Sequence, residues 1–128
     1  MNSVNLIGRL VRDVDLRYLE GTGQALARFS IAIDRQLSKD KKQELESQNK
    51  PTADFINIVV WGKMAENCAN FLAKGRLVAV QGRLQSGSYE KDGIKRHTTD
   101  VVAQNVEFLE WGDKKETQGF TEVDEAIS

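Results

Sequence analysis

The chain has 128 residues, of which 40% are hydrophobic and 29% charged, a composition typical of one globular domain with its own core. No apolar run approaches the roughly 20 residues of a membrane-spanning helix, and residues 1–9 lack the basic-then-apolar order of a secretory signal. We therefore expect a cytoplasmic protein that does not act at a membrane. The formal net charge of −1 excludes a strongly basic chain.

This charge is unevenly distributed. Residues 113–128 contain two of the 18 Lys and Arg residues and five of the 19 Asp and Glu residues, so this segment is acidic and the rest is mildly basic. The segment has too few apolar residues to offset the entropy of ordering it. We predict that residues 1–111 form the folded domain and that residues 112–128 form a short disordered acidic tail.

The first third of the chain has the period-two pattern of strands. Residues 4–10 form a short strand, residues 13–20 continue it irregularly, and a Gly-Thr-Gly sequence at 21–23 turns the chain. Residues 24–35 form a longer strand. Its predicted buried face consists of Ala27, Phe29, Ile31 and Ile33. Small or polar residues alternate with that face.

The third strand, residues 53–62, has the most informative pattern in the chain. Because side chains alternate on a strand, one face is aliphatic and the other carries rings. The ring-bearing face consists of Phe55, Asn57, Val59 and Trp61, with Lys63 close behind. Unpaired bases stack on such rings while cationic side chains neutralise phosphates. The alternative is a central strand that is buried on both faces.

The other elements follow from local signals. Residues 37–53 are hydrophilic and end at the only proline, which predicts a long mobile loop. One helix is predicted over residues 63–73, with Gly75 as its left-handed cap. Its predicted apolar stripe is Met64, Cys68, Phe71 and Leu72. Strands follow at 77–84 and 101–109, joined by a hairpin arm over 86–99 whose Asp-Gly dipeptide favours a type I′ turn.

Signals for catalysis are weak. The glycines at 21 and 23 lack the third glycine of a dinucleotide loop, because Leu26 occupies its place. The one histidine, His97, and the one cysteine, Cys68, lie on different predicted elements, so a nucleophile–base pair is not expected. A single cysteine also excludes an intramolecular disulfide and a cysteine-based metal cluster. We expect no enzymatic activity, no cofactor and no metal.

Five strands with one helix between the third and the fourth predict an all-β fold with one helix: a five-stranded OB-fold barrel with a long β-hairpin arm. Five motifs then resemble the bacterial single-stranded DNA-binding protein family, close to its Gram-positive branch. They lie at residues 4–10, 15–18, 53–63, 65–75 and 80–84. The resemblance implies a homotetramer that binds and protects single-stranded DNA without sequence preference during replication, recombination and repair, in the nucleoid of the cytoplasm.

The resemblance also implies the DNA-binding residues. Three rings match base-stacking positions: Phe55, Trp61 and Tyr89. Leu37 occupies a fourth position at which the family often has a ring, and Asn57 lies between two of the rings. Phosphate contacts are implied for Arg9, Lys63, Lys74 and Arg83.

The C-terminal segment departs from the family. Members usually end in an acidic tip with a Pro-Phe pair that docks replication and repair proteins, and residues 112–128 contain no such pair. We therefore expect weak docking of those partners. Two alternatives stay open: an OB-fold assembly factor that mainly bridges proteins, and an RNA-binding OB domain, since stacking tolerates either sugar.

Overall fold

The computed structural model describes residues 1–110, so the predicted acidic tail lies outside the described residues. This part contains six strands and two helices. In chain order they are β1 (Val4–Leu10), β2 (Asp15–Tyr18), β3 (Ala25–Asp34), α1 (Lys39–Ser47), β4 (Ala53–Trp61), α2 (Lys63–Phe71), β5 (Leu77–Lys91) and β6 (Ile94–Phe108). Neither helix is long and apolar enough to cross a membrane.

Five of the strands close into a ring. The order is β1, β5, β6, β4, β3, and β3 returns to β1 through the pairs Arg9–Ala32 and Leu10–Ile31. β2 pairs with the same edge of β3 as β1 does, but nearer the start of β3, at Ala25 to Arg28. β1 and β2 therefore act together as one interrupted strand. A five-stranded ring with α2 between its third and fourth strands is the OB-fold architecture, which confirms the predicted fold class.

The interior of the ring is filled by alternate residues of the strands. The aliphatic face of β4 points inward through Ile58 and Val60, and the predicted face of β3 is buried as far as Ile31. α2 adds to this core from outside the sheet. The buried cluster consists of Leu10, Ala25, Ala27, Phe29, Ile31, Ile58, Val60, Ala65, Cys68, Leu72, Val78, Val80, Val101 and Ala103. The opposite face of β4 is therefore free to carry function.

The segment predicted as a mobile loop contains helix α1, so the predictions of a loop and of a single helix were wrong. Ser38 is the N-cap of α1, and its Oγ accepts a hydrogen bond from the Lys41 amide at 3.2 Å. None of the α1 residues is buried. The helix therefore has no apolar stripe, which is the signal that identifies most helices in a sequence.

The end of α2 also differs from the prediction. The helix ends at Phe71, and Leu72 is its C-cap in an extended conformation. Gly75 does have a positive φ of 91°, but it shapes the turn toward β5 and does not cap the helix. Phe71, predicted to be buried, is about half exposed, and Ala65 is buried in the stripe instead.

The hairpin arm is formed as predicted. β5 and β6 pair from Val78–Phe108 to Lys91–Ile94 with one register shift, between Gln81 and Gly82, so the arm is the distal part of one long antiparallel ladder. At its tip, Asp92 and Gly93 both have positive φ, 55° and 78°, as a type I′ turn requires. The arm thus extends the two strands well beyond the closed barrel.

Candidate nucleic-acid interface

β4 displays two aromatic rings on the outside of the barrel. Phe55 is 62% exposed and Trp61 is 38% exposed. Of the two residues between them on the same face, Asn57 is exposed and Val59 is buried. The two rings are six positions apart along the strand, or roughly 20 Å at about 3.3 Å per residue. Two solvent-facing rings on one rigid strand can each accept a flat aromatic ligand.

The surface between the rings is floored by small and polar side chains. β3 places Ser30 opposite Asn57 and Ala32 opposite Phe55, so the β3 neighbour of the Phe55 ring is small, whereas Trp61 lies opposite Leu26. Ser30 Oγ donates a hydrogen bond to Asn57 Oδ1 at 2.7 Å, which holds the amide in one orientation. An open depression of about 490 Å³ lies over this floor. Its outer rim is formed by Arg12, Asp15 and Arg28.

Strand register places Arg83 and Tyr89 on the same face of the sheet. Val59 of β4 pairs with Val102 of β6, and Val102 pairs with Arg83 of β5. Alternation along β5 then brings Tyr89 to the side that carries Arg83. The Tyr89 ring is 52% exposed and lies opposite Arg96 in the arm. The structure therefore gathers three predicted rings and one predicted cation on one face.

Three other predicted residues lie at the margins of this face. Lys63 is the exposed first residue of α2, separated from Trp61 only by Gly62. Leu37 is half-buried between β3 and α1. Lys74 is exposed in the turn between α2 and β5, and its backbone amide donates to Asp13 Oδ1 at 2.9 Å. Lys74 is thus placed beside the β1–β2 connection and not beside the rings.

Arg9 already has a protein partner. Its Cα partner on β3 is Ala32, which in turn pairs with Phe55, so Arg9 lies two strands from a ring. Its Nη1 is 2.9 Å from Glu110 Oε1 and also donates to the Gly75 carbonyl. The hydrogen bond and charge of each partner raise the pKa of Arg9 and lower that of Glu110. This ion pair partly neutralises the cation that was predicted to contact phosphate.

Two arginines near the rings were not among the predicted site residues. Arg12 lies between β1 and β2, and Arg28 lies on the outer face of β3 opposite Val59. Both line the depression, and neither forms an ion pair with any other residue in 1–110. The sequence signal that could have identified Arg28 was the alternation of side chains along β3, which put Arg28 on the outer face together with Ser30.

The chemistry of this face is that of binding. Across residues 1–110, no three His, Cys, Asp or Glu side chains are grouped so that they could hold a metal ion. Cys68 is buried in the core, and burial raises the pKa of its thiol to about 12. What the outer face offers is stacking on rings, hydrogen bonding from an amide, and charge neutralisation by guanidinium groups.

An OB-fold barrel with exposed rings and cations on one sheet face is characteristic of modules that bind single-stranded nucleic acid. Residues 1–109 match the single-strand binding protein family, and the chain belongs to that family, as its motifs predicted. It is 51% identical over 123 residues to a single-stranded DNA-binding protein of Clostridium tetani, covering 94% of this chain and 79% of the relative.

Two further relatives show the same similarity. Identity is 51% over 113 residues to single-stranded DNA-binding protein 3 of Clostridium acetobutylicum, covering 88% of this chain and 73% of the relative. Identity is 47% over 111 residues to a single-stranded DNA-binding protein of Bacillus cereus, covering 86% of this chain and 61% of the relative. The matched region contains the barrel, the arm and both helices.

Proposed function

We propose that this chain binds and protects single-stranded DNA without sequence preference, during DNA replication, recombination and repair. The observation that carries the proposal is the pair of exposed rings, Phe55 and Trp61, on one strand, with the small Ala32 opposite Phe55. Membership of the single-strand binding protein family supports it, since the relatives are named as single-stranded DNA-binding proteins.

The binding mode follows from the chemistry of the face. Every base has a π-face, so stacking on Phe55, Trp61 and Tyr89 is tolerant of sequence, at about 1–3 kcal/mol per stacked base. Lys63 and Arg83 are both exposed, and we propose that they neutralise phosphates of the bound strand. Duplex DNA keeps its bases stacked on one another, so it offers little to the rings.

We also propose that residues 1–111 are the DNA-binding domain and that the working unit is a homotetramer in the cytoplasm, associated with the nucleoid. The free edge of β1 supports self-association. β1 pairs with β5 along Val4–Arg9, but its other edge pairs with β3 only at Arg9 and Leu10. Within residues 1–110, positions 4–8 therefore leave one edge without a strand, and such edges favour pairing with another chain.

The test is a titration of the protein with oligo(dT), oligo(rU) and a DNA duplex of equal length. Binding is monitored by the tryptophan fluorescence of the protein. We expect strong quenching and the tightest binding with oligo(dT), and affinity that falls with salt at a log–log slope of about −0.7 per neutralised phosphate. Equal affinity for oligo(rU) would favour an RNA-binding domain. An absence of quenching by either single strand would contradict the proposed function.

A further inference from the structure

Nothing aromatic occupies the outer face of β4 between its two rings. Roughly 20 Å of strand separates Phe55 from Trp61, and of the two residues between them on this face, Asn57 is exposed and Val59 is buried. A strand of DNA whose bases stack on both rings has to cross this interval with its sugar–phosphate backbone close to the protein. The groups that border the interval therefore decide how that backbone is held.

The border of this interval is charged. Arg28 is the Cα partner of Val59 on β3, and Asp15 of β2 is the partner of Arg28. Arg12 lines the same depression from the connection between β1 and β2. All three charged side chains are exposed. Two guanidinium groups and one carboxylate thus line the depression beside Asn57 and Val59.

Arg12 and Arg28 differ from three of the six other arginines in residues 1–110. Arg9, Arg17 and Arg35 each form an ion pair at 3.4 Å or less. Arg12 and Arg28 form none with any residue in 1–110. A guanidinium group presents a planar fork of donors that matches the oxygens of a phosphate, and it stays charged at any physiological pH.

We propose that Arg12 and Arg28 form a phosphate-binding subsite that holds the DNA backbone between the two stacked bases, an inference that rests on the proposed function. The register from Val59 to Arg28 to Asp15 directs the backbone across β3 toward β2. Asp15 repels the phosphate and weakens the subsite. The backbone therefore turns away from β4 between the rings and returns to it at each ring.

The salt dependence of oligo(dT) binding tests this subsite, because each neutralised phosphate contributes about −0.7 to the log–log slope. Arg28→Ala and Arg12→Ala should each make the slope shallower by about 0.7. Each variant's loss of affinity should then be about 2.6-fold larger at 50 mM salt than at 200 mM salt. Arg28→Lys keeps a positive charge and should retain the wild-type slope. It therefore shows whether the change of slope in Arg28→Ala comes from the lost charge.

A second control and a gain-of-affinity variant complete the design. Lys95→Ala removes a charge from the side of the arm opposite to Tyr89 and Arg96, and should leave the slope unchanged. Asp15 also lies 3.4 Å from Arg17 Nε, so Asp15→Asn is compared with its parent in an Arg17→Ala background. In that background Asp15→Asn should tighten oligo(dT) binding, and the gain in affinity should be larger at 50 mM than at 200 mM salt.

The outcomes separate this inference from the proposed function. Binding by the wild type with unchanged slopes in Arg12→Ala and Arg28→Ala would overturn the subsite and leave the stacking surface intact. Slopes that change as much in Lys95→Ala as in Arg28→Ala would overturn it as well, because the effect would then be general to the whole molecule. No binding of oligo(dT) by the wild type would overturn the proposed function and the subsite together.

Discussion

Trp61 tests the stacking surface at the scale of a single residue. A stacked base is worth about 1–3 kcal/mol, so Trp61→Ala should weaken oligo(dT) binding about five- to a hundredfold. Trp61→Phe keeps a ring on the same strand and should lose much less. The measurement is fluorescence anisotropy of a labelled oligonucleotide, since the substitution removes an intrinsic fluorophore. A folded Trp61→Ala variant with wild-type affinity would contradict the role of this ring.

Leu37 provides a comparison with a side chain that cannot stack. It occupies a half-buried position after β3, where packing against a base is its only means of contact. Leu37→Ala should therefore weaken oligo(dT) binding less than Trp61→Ala does in the same assay. A larger loss for Leu37→Ala would place the main stacking surface near α1 and away from β4.

Cys68 gives a residue-level prediction about pH. Burial raises the pKa of its thiol to about 12, so the folded protein keeps it neutral where the unfolded chain already ionises it. The stability from this group is complete below the ordinary thiol pKa and is lost as the pH rises toward 12. We expect iodoacetamide at pH 8 to leave Cys68 unmodified in the folded protein and to alkylate it in denaturant. Rapid alkylation of the folded protein would contradict a closed core.

The residue-level predictions from the sequence succeeded where they depended on local order. The alternation of β4 assigned Phe55 and Trp61 to the outer face, because strand geometry fixes that face residue by residue. The ion pair of Arg9 joins residues 101 positions apart, and no local pattern contains it. For the same reason the sequence did not single out Arg28 among the arginines, since its ion-pair status depends on the assembled sheet.

At the scale of elements, α1 shows what a sequence conceals. Its stabilisation is local, from the Ser38 cap, and Leu45 is its only half-buried residue. Ser38→Ala should cost the helix about 1 kcal/mol, so the amides of α1 should exchange roughly five times faster. The melting temperature should stay unchanged, because α1 contributes no buried residue to the core. Ser38→Asp keeps an acceptor and should exchange like the wild type; a large fall in melting temperature would contradict this account.

The long β5–β6 ladder makes a second prediction at the scale of elements. A register shift lies between Gln81 and Gly82, and a Cβ at Gly82 would lie 2.2 Å from the Val102 carbonyl oxygen. Gly82→Ala should therefore destabilise the protein by roughly 1–3 kcal/mol, as overpacking does. Gly87 is the matched control, because a Cβ there meets only the Thr98 side chain, at 3.2 Å.

Thermal unfolding measures both glycine variants. Gly82→Ala should lower the melting temperature by several degrees, whereas Gly87→Ala should change it little, since the Thr98 hydroxyl can rotate away. Equal melting temperatures would show that the two strands can separate at the register shift without cost. The sequence predicted the hairpin and its turn from Asp92 and Gly93, but the shift depends on how β6 pairs with two neighbours and has no sequence signature.

At the scale of the whole molecule, the barrel leaves two different surfaces open. The outer face of β3 and β4 carries Phe55, Trp61 and Arg28. The edge of β1 carries Ile7, which is 57% exposed. Because these surfaces lie on different parts of the ring, one chain can contact DNA and another chain at the same time. Self-association through β1 would then bring several ring-bearing faces into one particle.

The proposed homotetramer makes the last prediction. Light scattering at micromolar concentration should give four times the 14.4 kDa chain mass. Ile7→Lys places a charge at the free edge of β1, where a buried contact between chains would exclude it, and should lower the mass. Ile94→Lys is the matched control, because Ile94 is 56% exposed at the arm tip, and it should keep the wild-type mass. A wild-type mass near one chain would contradict self-association, and an unchanged mass in Ile7→Lys would place the contact elsewhere.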